Sequence, residues 1–165
     1  MSGQAAQRLA IAGWLLTIGE AAAALLIMVV SDAPMLPNLF GVGHATAIAF
    51  GIMALAFSTA GVLVVSRLPR HIIGWLLLTT GIFYGVTITA EEITFAAAAD
   101  ATLGLGPARW SGWTAFLASI PGALAPMTIV LLFPDGRPPS AVFARVFRVL
   151  AIWEVALVTI TAIQP

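Results

Sequence analysis

The chain has 165 residues, of which 61% are hydrophobic and only 8% charged, and its mean hydropathy is +1.05. A soluble domain carries roughly 25% charged and about 45–50% apolar residues, and a disordered chain is polar; with both excluded, a multi-pass membrane protein remains. Seven arginines balance seven acids, with no lysine and no cysteine, so a nucleic-acid-binding face is not expected, and disulfides, thiolate metal sites and cysteine nucleophiles are ruled out.

A spanning helix needs about 20 mostly apolar residues. The first predicted span covers residues 9–30, after a polar start from Ser2 to Arg8. A signal-peptide core is only about 7–15 residues long, so a retained helix is expected. The following stretch holds Pro34, Pro37, Asn38, Gly41 and Gly43, all loop-forming residues. A second span covers 45–65, and Arg67, Pro69, Arg70 and His71 form a polar turn. The third covers 72–90; Glu91 and Glu92 follow, then a helix-compatible run to Ala99 and a glycine-containing loop over 100–107. The fourth, 113–133, contains Pro121 and Pro126, each of which removes a backbone donor and tends to kink a helix. Pro134-Asp135-Gly136-Arg137-Pro138-Pro139 reads as a turn. Ser140 is suited to cap the last helix, 141–163. The expectation is one membrane domain over 1–165: an all-α bundle of five transmembrane helices.

Arginines orient it. Arg8, Arg67, Arg70, Arg137, Arg145 and Arg148 fall on one side when loops alternate, and only Arg109 on the other. The positive-inside rule then puts the N-terminus in the cytoplasm. Trp14, Trp75, Trp110, Trp113 and Trp153 lie toward span ends, as an aromatic belt requires.

Glu20 is the sharpest chemical oddity, near the middle of the first span. An ionisable residue there costs at least about 2.5 kcal/mol on insertion scales and is a functional candidate by default. Gly13, Thr17, Glu20 and Ala24 share one helical face, so Glu20 points at packed neighbours, either as a protonated or hydrogen-bonded structural group or as a sensing one. Glu154, about two turns into the last span, is the second intramembrane candidate; Arg148 or an interhelical hydrogen bond would satisfy it. Glu91, Glu92 and Asp100 form a candidate outer-surface acidic patch, read structurally as a solvated helix end and functionally as an extracytoplasmic cation- or ligand-sensing patch. His44 and His71 fall on opposite sides of the bilayer and cannot share a metal. Gly81 and Gly85 make a GxxxG step, and Ala47, Gly51, Ala54, Ser58 and Gly61 a small-residue stripe; both favour close helix approach, within the bundle or in a homodimer.

Two segments resemble a known family. Arg70-His71-Ile72-Ile73-Gly74-Trp75-Leu76-Leu77-Leu78 is similar to the R-H-P-I-G-W-L-L segment that opens a membrane helix in certain bacterial sensors. Leu131-Leu132-Phe133-Pro134-Asp135-Gly136-Arg137-Pro138-Pro139-Ser140 resembles their L-L-F-P-D-G-R-L-P-S turn. Together these look like the N-terminal multi-helix region of sensor histidine kinases from high-GC bacteria. Ile72 stands where the pattern has Pro, Pro138 where it has Leu, and the basic cluster after the serine is thinned to Arg145 and Arg148. The resemblance implies a sensory input domain in a bacterial cytoplasmic membrane, with the turn Pro134, Asp135, Gly136, Arg137 on the cytoplasmic side. No phosphoacceptor-histidine segment and no ATP-binding boxes occur in these residues. Five spans from an inside N-terminus leave Pro165 outside, so a cytoplasmic output domain requires one more span; the expected identity is the sensory portion, or a relative without output.

No P-loop, dinucleotide fingerprint, GxSxG or HExxH occurs, so neither an enzyme nor a cofactor or metal is expected. The expected partners are the lipid bilayer and a second copy or another membrane protein. A structural or partner-binding membrane subunit is the alternative, followed by a small transporter with Glu20 and Glu154 on its pathway.

Overall fold

The computed structural model describes residues 2–31, 37–38, 41–42, 44–100, 102, 105–137 and 140–163. In chain order the elements are α1 (Gly3–Val30), β1 (Pro37–Asn38), β2 (Gly41–Val42), α2 (His44–Arg67), α3 (Ile72–Ala99), α4 (Leu105–Leu132) and α5 (Ala141–Ile163). β1 and β2 are a minimal antiparallel pair in the first loop, with Pro37 opposite Val42 and Asn38 opposite Gly41. Pro34, Gly43, Pro138 and Pro139 lie outside the described residues.

Among the described residues, four helices are long and apolar enough to cross a membrane: Gly3–Val30, Ala45–Arg67, Ile72–Ala99 and Gly106–Leu132. α5 forms over the expected residues but is not one of the four. Three helices outrun their predicted spans, because a 28-residue helix rises about 42 Å against a hydrocarbon core of roughly 30 Å. Ser2 caps α1 by accepting the Ala5 N–H at 3.3 Å, so the polar residues before Leu9 join the helix. α3 continues through Glu91 and Glu92 to Ala99, since Glu is a good helix former. α4 starts at Leu105, eight residues before the expected 113, with Pro107 in its first turn, where a missing N–H is tolerated. It runs as one helix through Pro121 and Pro126. Ser140 caps α5 as expected, its Oγ accepting the Phe143 N–H at 3.4 Å.

α3 is the hub, packing against α1, α2 and α4, while α5 rests on α4. The small-residue stripes are spent inside the bundle. A methyl on Gly81 would lie 2.6 Å from the Ala54 carbonyl oxygen and 2.7 Å from the Ser58 amide nitrogen, and one on Gly61 2.7 Å from Leu78 Cα. Backbone therefore meets backbone between α2 and α3, the close approach that small residues permit. Side-chain hydrogen bonds add cross-links: Trp14 Nε1 donates to Thr59 Oγ1 at 3.0 Å between α1 and α2, and Thr94 Oγ1 donates to Ser111 Oγ at 2.9 Å between α3 and α4. Tyr84 is buried edge-on against Phe50, with centroids 5.3 Å apart. Large apolar side chains face outward, such as Val29 at 80% and Val130 at 76% exposure, as a lipid solvent allows.

The ends are chemically distinct. At one end Gly3 lies against Pro69, and Gly136, with φ +70°, lies against Ile72. This brings the start of α1, the α2–α3 turn and the α4–α5 turn together, and with them Arg67, Arg70 and Arg137. Both family-like segments thus touch at this end. Arg109 lies on the first turns of α4, beside the Thr94–Ser111 bond at the other end.

Candidate functional site at the contact between α1 and α3

The expected face of α1 is the one that packs. Thr17 and Ala24 are buried, and a methyl on Gly13 would lie 3.2 Å from Ile82 of α3. α1 and α3 start at the same end and run parallel, so their registers can be followed upward from there. Gly13 meets Leu78 and Ile82, and Glu20 meets Gly85. Both residues lie more than two turns from either end of their helices.

Gly85 provides the seat. A Cβ there would overlap Glu20 Oε2 and lie 3.1 Å from Glu20 Cβ, so only glycine leaves room for this carboxyl against the α3 backbone. One turn on, the Thr89 hydroxyl bridges the helices, its single O–H shared between the Glu20 carbonyl and the Gly85 carbonyl, each 2.9 Å from Oγ1. Backbone is thereby pinned to backbone beside the carboxyl. The carboxyl itself is not fully satisfied: among the described residues Glu20 Oε2 is buried without a hydrogen-bond partner. A polar atom left unbonded in an apolar setting costs about 1–3 kcal/mol, so the contact between α1 and α3 depends on what this group holds: a proton, a water or a cation.

The GxxxG pair therefore has two jobs, Gly81 against α2 and Gly85 against Glu20 on α1. Sequence reasoning found Glu20 and Gly85 separately but missed their pairing and missed Thr89. The Gly85–Thr89 step of four residues on α3 was the available signal.

The other candidates do not assemble with this site. The side chain of Glu154 lies outside the described residues; its backbone is in α5, which packs on α4 rather than α1. The acidic patch is corrected. Glu92 is buried, at 2% exposure, and Glu91 is half-buried, because α3 carries both into the packed interface two turns before its end. Asp100 alone is exposed, following the last turn of α3. Its carboxylate accepts the Thr102 hydroxyl at 2.6 Å and the Thr102 N–H at 2.9 Å, and these bonds hold it below its ordinary value of 3.8. His71 precedes α3 at the arginine-rich end, whereas His44 begins α2; the length of α2, about 36 Å, separates them. The His44 side chain lies outside the described residues. Among the described residues no group of three or more metal-ligating side chains occurs.

The class is coarse but definite: a helical bundle in which, among the described residues, four helices are fit to cross a membrane and a carboxyl is set into the central helix contact. Comparison of the chain with protein-family models, with curated proteins and with solved structures finds no match in any of the three.

Proposed function

We propose that the chain is a membrane-embedded input domain of a two-component-type signalling protein. In this reading it lies in a bacterial cytoplasmic membrane with five spans, N-terminus inside, and carries no catalytic part of its own. The observation that carries the reading is the unpartnered Glu20 carboxyl wedged against Gly85 between two parallel helices. An event that changes the charge or bonding of that group acts on the position of α1 relative to the hub helix, which is the kind of displacement an input domain transmits. The meeting of the Arg70–Leu78 and Leu131–Ser140 segments at one end supports the sensor resemblance. The grouping of arginines there supports a cytoplasmic assignment of that end.

The test isolates the tagged chain from native membranes with whatever it is joined to. Input function predicts ATP-dependent histidine phosphorylation in the isolate, altered in extent by Glu20→Gln at equal membrane level. An isolate with no phosphorylated histidine would overturn the proposal. A second reading, a partner-binding subunit, draws support from α5, which packs on α4 and leaves Ile152, Trp153 and Val155 exposed. A stoichiometric membrane partner without phosphorylation would favour it.

A further inference from the structure

The arginine-rich end holds a cleft of about 580 Å³ between the first turn of α1 (Ser2, Gly3), Arg67 at the end of α2, and the turn from Leu68 to His71. Among the described residues its charged wall residues are Arg67 and Arg70, and no acid lines it. Neither guanidinium has a hydrogen bond or ion pair among the described residues. Two unspent cations facing one concavity are a receptor for an anion.

The walls are fixed. Trp75 Nε1 donates to the Pro69 carbonyl at 2.9 Å, the His71 N–H donates to the Leu68 carbonyl at 2.9 Å, and the Leu68 N–H to the Val64 carbonyl at 2.7 Å. Beneath them Ala6, Ala10, Val65 and Leu78 form a buried cluster joining α1, α2 and α3. Ser2 satisfies the Ala5 and Ala6 N–H groups, which leaves those of Gly3 and Gln4 at the positive end of α1.

We infer that this cleft binds the phosphate of an anionic phospholipid headgroup. Every wall residue sits at a helix end, the level at which headgroup phosphates meet a transmembrane bundle. Leu68 and Ile72, at 55% and 47% exposure, stand beside the cations and offer an acyl chain an apolar track that a free phosphate would not use. Guanidinium forks match phosphate oxygens in geometry as well as charge. This inference stands apart from Glu20 and survives whichever way the input reading is decided.

The full chain, purified in mild detergent, is titrated with phosphatidylglycerol, phosphatidylcholine or inorganic phosphate, and retained lipid is read by native mass spectrometry alongside thermal stability. Each basic contact at a membrane surface is worth roughly fivefold in affinity, so Arg67→Gln with Arg70→Gln should weaken phosphatidylglycerol retention about thirtyfold. Arg109→Gln should leave it unchanged, and Arg67→Lys with Arg70→Lys, which keeps the charge but loses the fork, should retain more than the Gln pair and less than wild type, separating charge from fold. Equal retention by the double Gln variant, or equal retention of phosphatidylcholine, would overturn the site. Arginine-dependent stabilisation by inorganic phosphate with no lipid retained would overturn the lipid assignment.

Discussion

Gly81→Ala should loosen the bundle at its hub. The added methyl meets the Ala54 carbonyl oxygen at 2.6 Å and the Ser58 amide nitrogen at 2.7 Å. These are backbone atoms of α2 and cannot rotate away, so α2 and α3 must separate. Overpacking costs about 1–3 kcal/mol, and rigid neighbours put this site at the upper end. Alanine recovers up to about 1 kcal/mol of helix propensity over glycine, which leaves a net loss of about 2 kcal/mol. Gly19 on α1 is the matched control. A methyl there has nothing within 4 Å, so Gly19→Ala should be neutral or stabilising by up to about 1 kcal/mol. Reversible unfolding in mixed micelles, followed by far-UV circular dichroism, measures both variants. A Gly81→Ala protein as stable as wild type, or equal destabilisation by both, would refute the close approach of α2 and α3.

Three further outcomes follow from local contacts. Thr59→Val removes the acceptor of Trp14 Nε1 and should cost about 0.5–1.5 kcal/mol in the same unfolding assay. Ser140→Ala removes the oxygen that accepts the Phe143 N–H; amide exchange at the start of α5 should rise, consistent with a loss of about 0.5–2 kcal/mol of capping. Asp100 titrates below 3.8 because Thr102 donates two hydrogen bonds to its carboxylate. The stabilisation linked to it is therefore present above its unfolded value and is lost as pH falls through the lower folded value. Thr102→Val keeps the N–H and removes the hydroxyl, so carboxyl ¹³C chemical shifts should show Asp100 titrating closer to 3.8.

Hydropathy located the five helices of the described residues, four of them fit to span a membrane, because apolar runs separated by proline, glycine and arginine leave few alternatives. It placed their ends poorly where polar residues are good helix formers, as at Glu91 and Glu92, or where a proline sits in a first turn, as at Pro107. Face reasoning carried further: Gly13 and Glu20 do pack on α3, Thr17 and Ala24 of the same face are buried, and the GxxxG step is used within the bundle. The burial of Glu92 was not legible, since adjacent acids after an apolar run read as a solvated end. The clasp between Thr89 and Glu20 joins residues 69 positions apart, and the basic cleft needs two separate segments, 2–3 and 67–71, brought together at one end. Such sites are properties of the assembled bundle, and a single sequence lists their parts without their pairing.

The central claim is that the bundle feeds a signal and that Glu20 participates in it. The direct measurement compares transcripts in the native host lacking the gene, complemented with wild type or with Glu20→Gln at equal membrane abundance. The input reading predicts a defined set of transcripts that shifts on deletion, returns with wild type and does not return with Glu20→Gln. Transcripts unmoved by deletion would contradict signalling itself, and full restoration by Glu20→Gln would remove Glu20 from the mechanism.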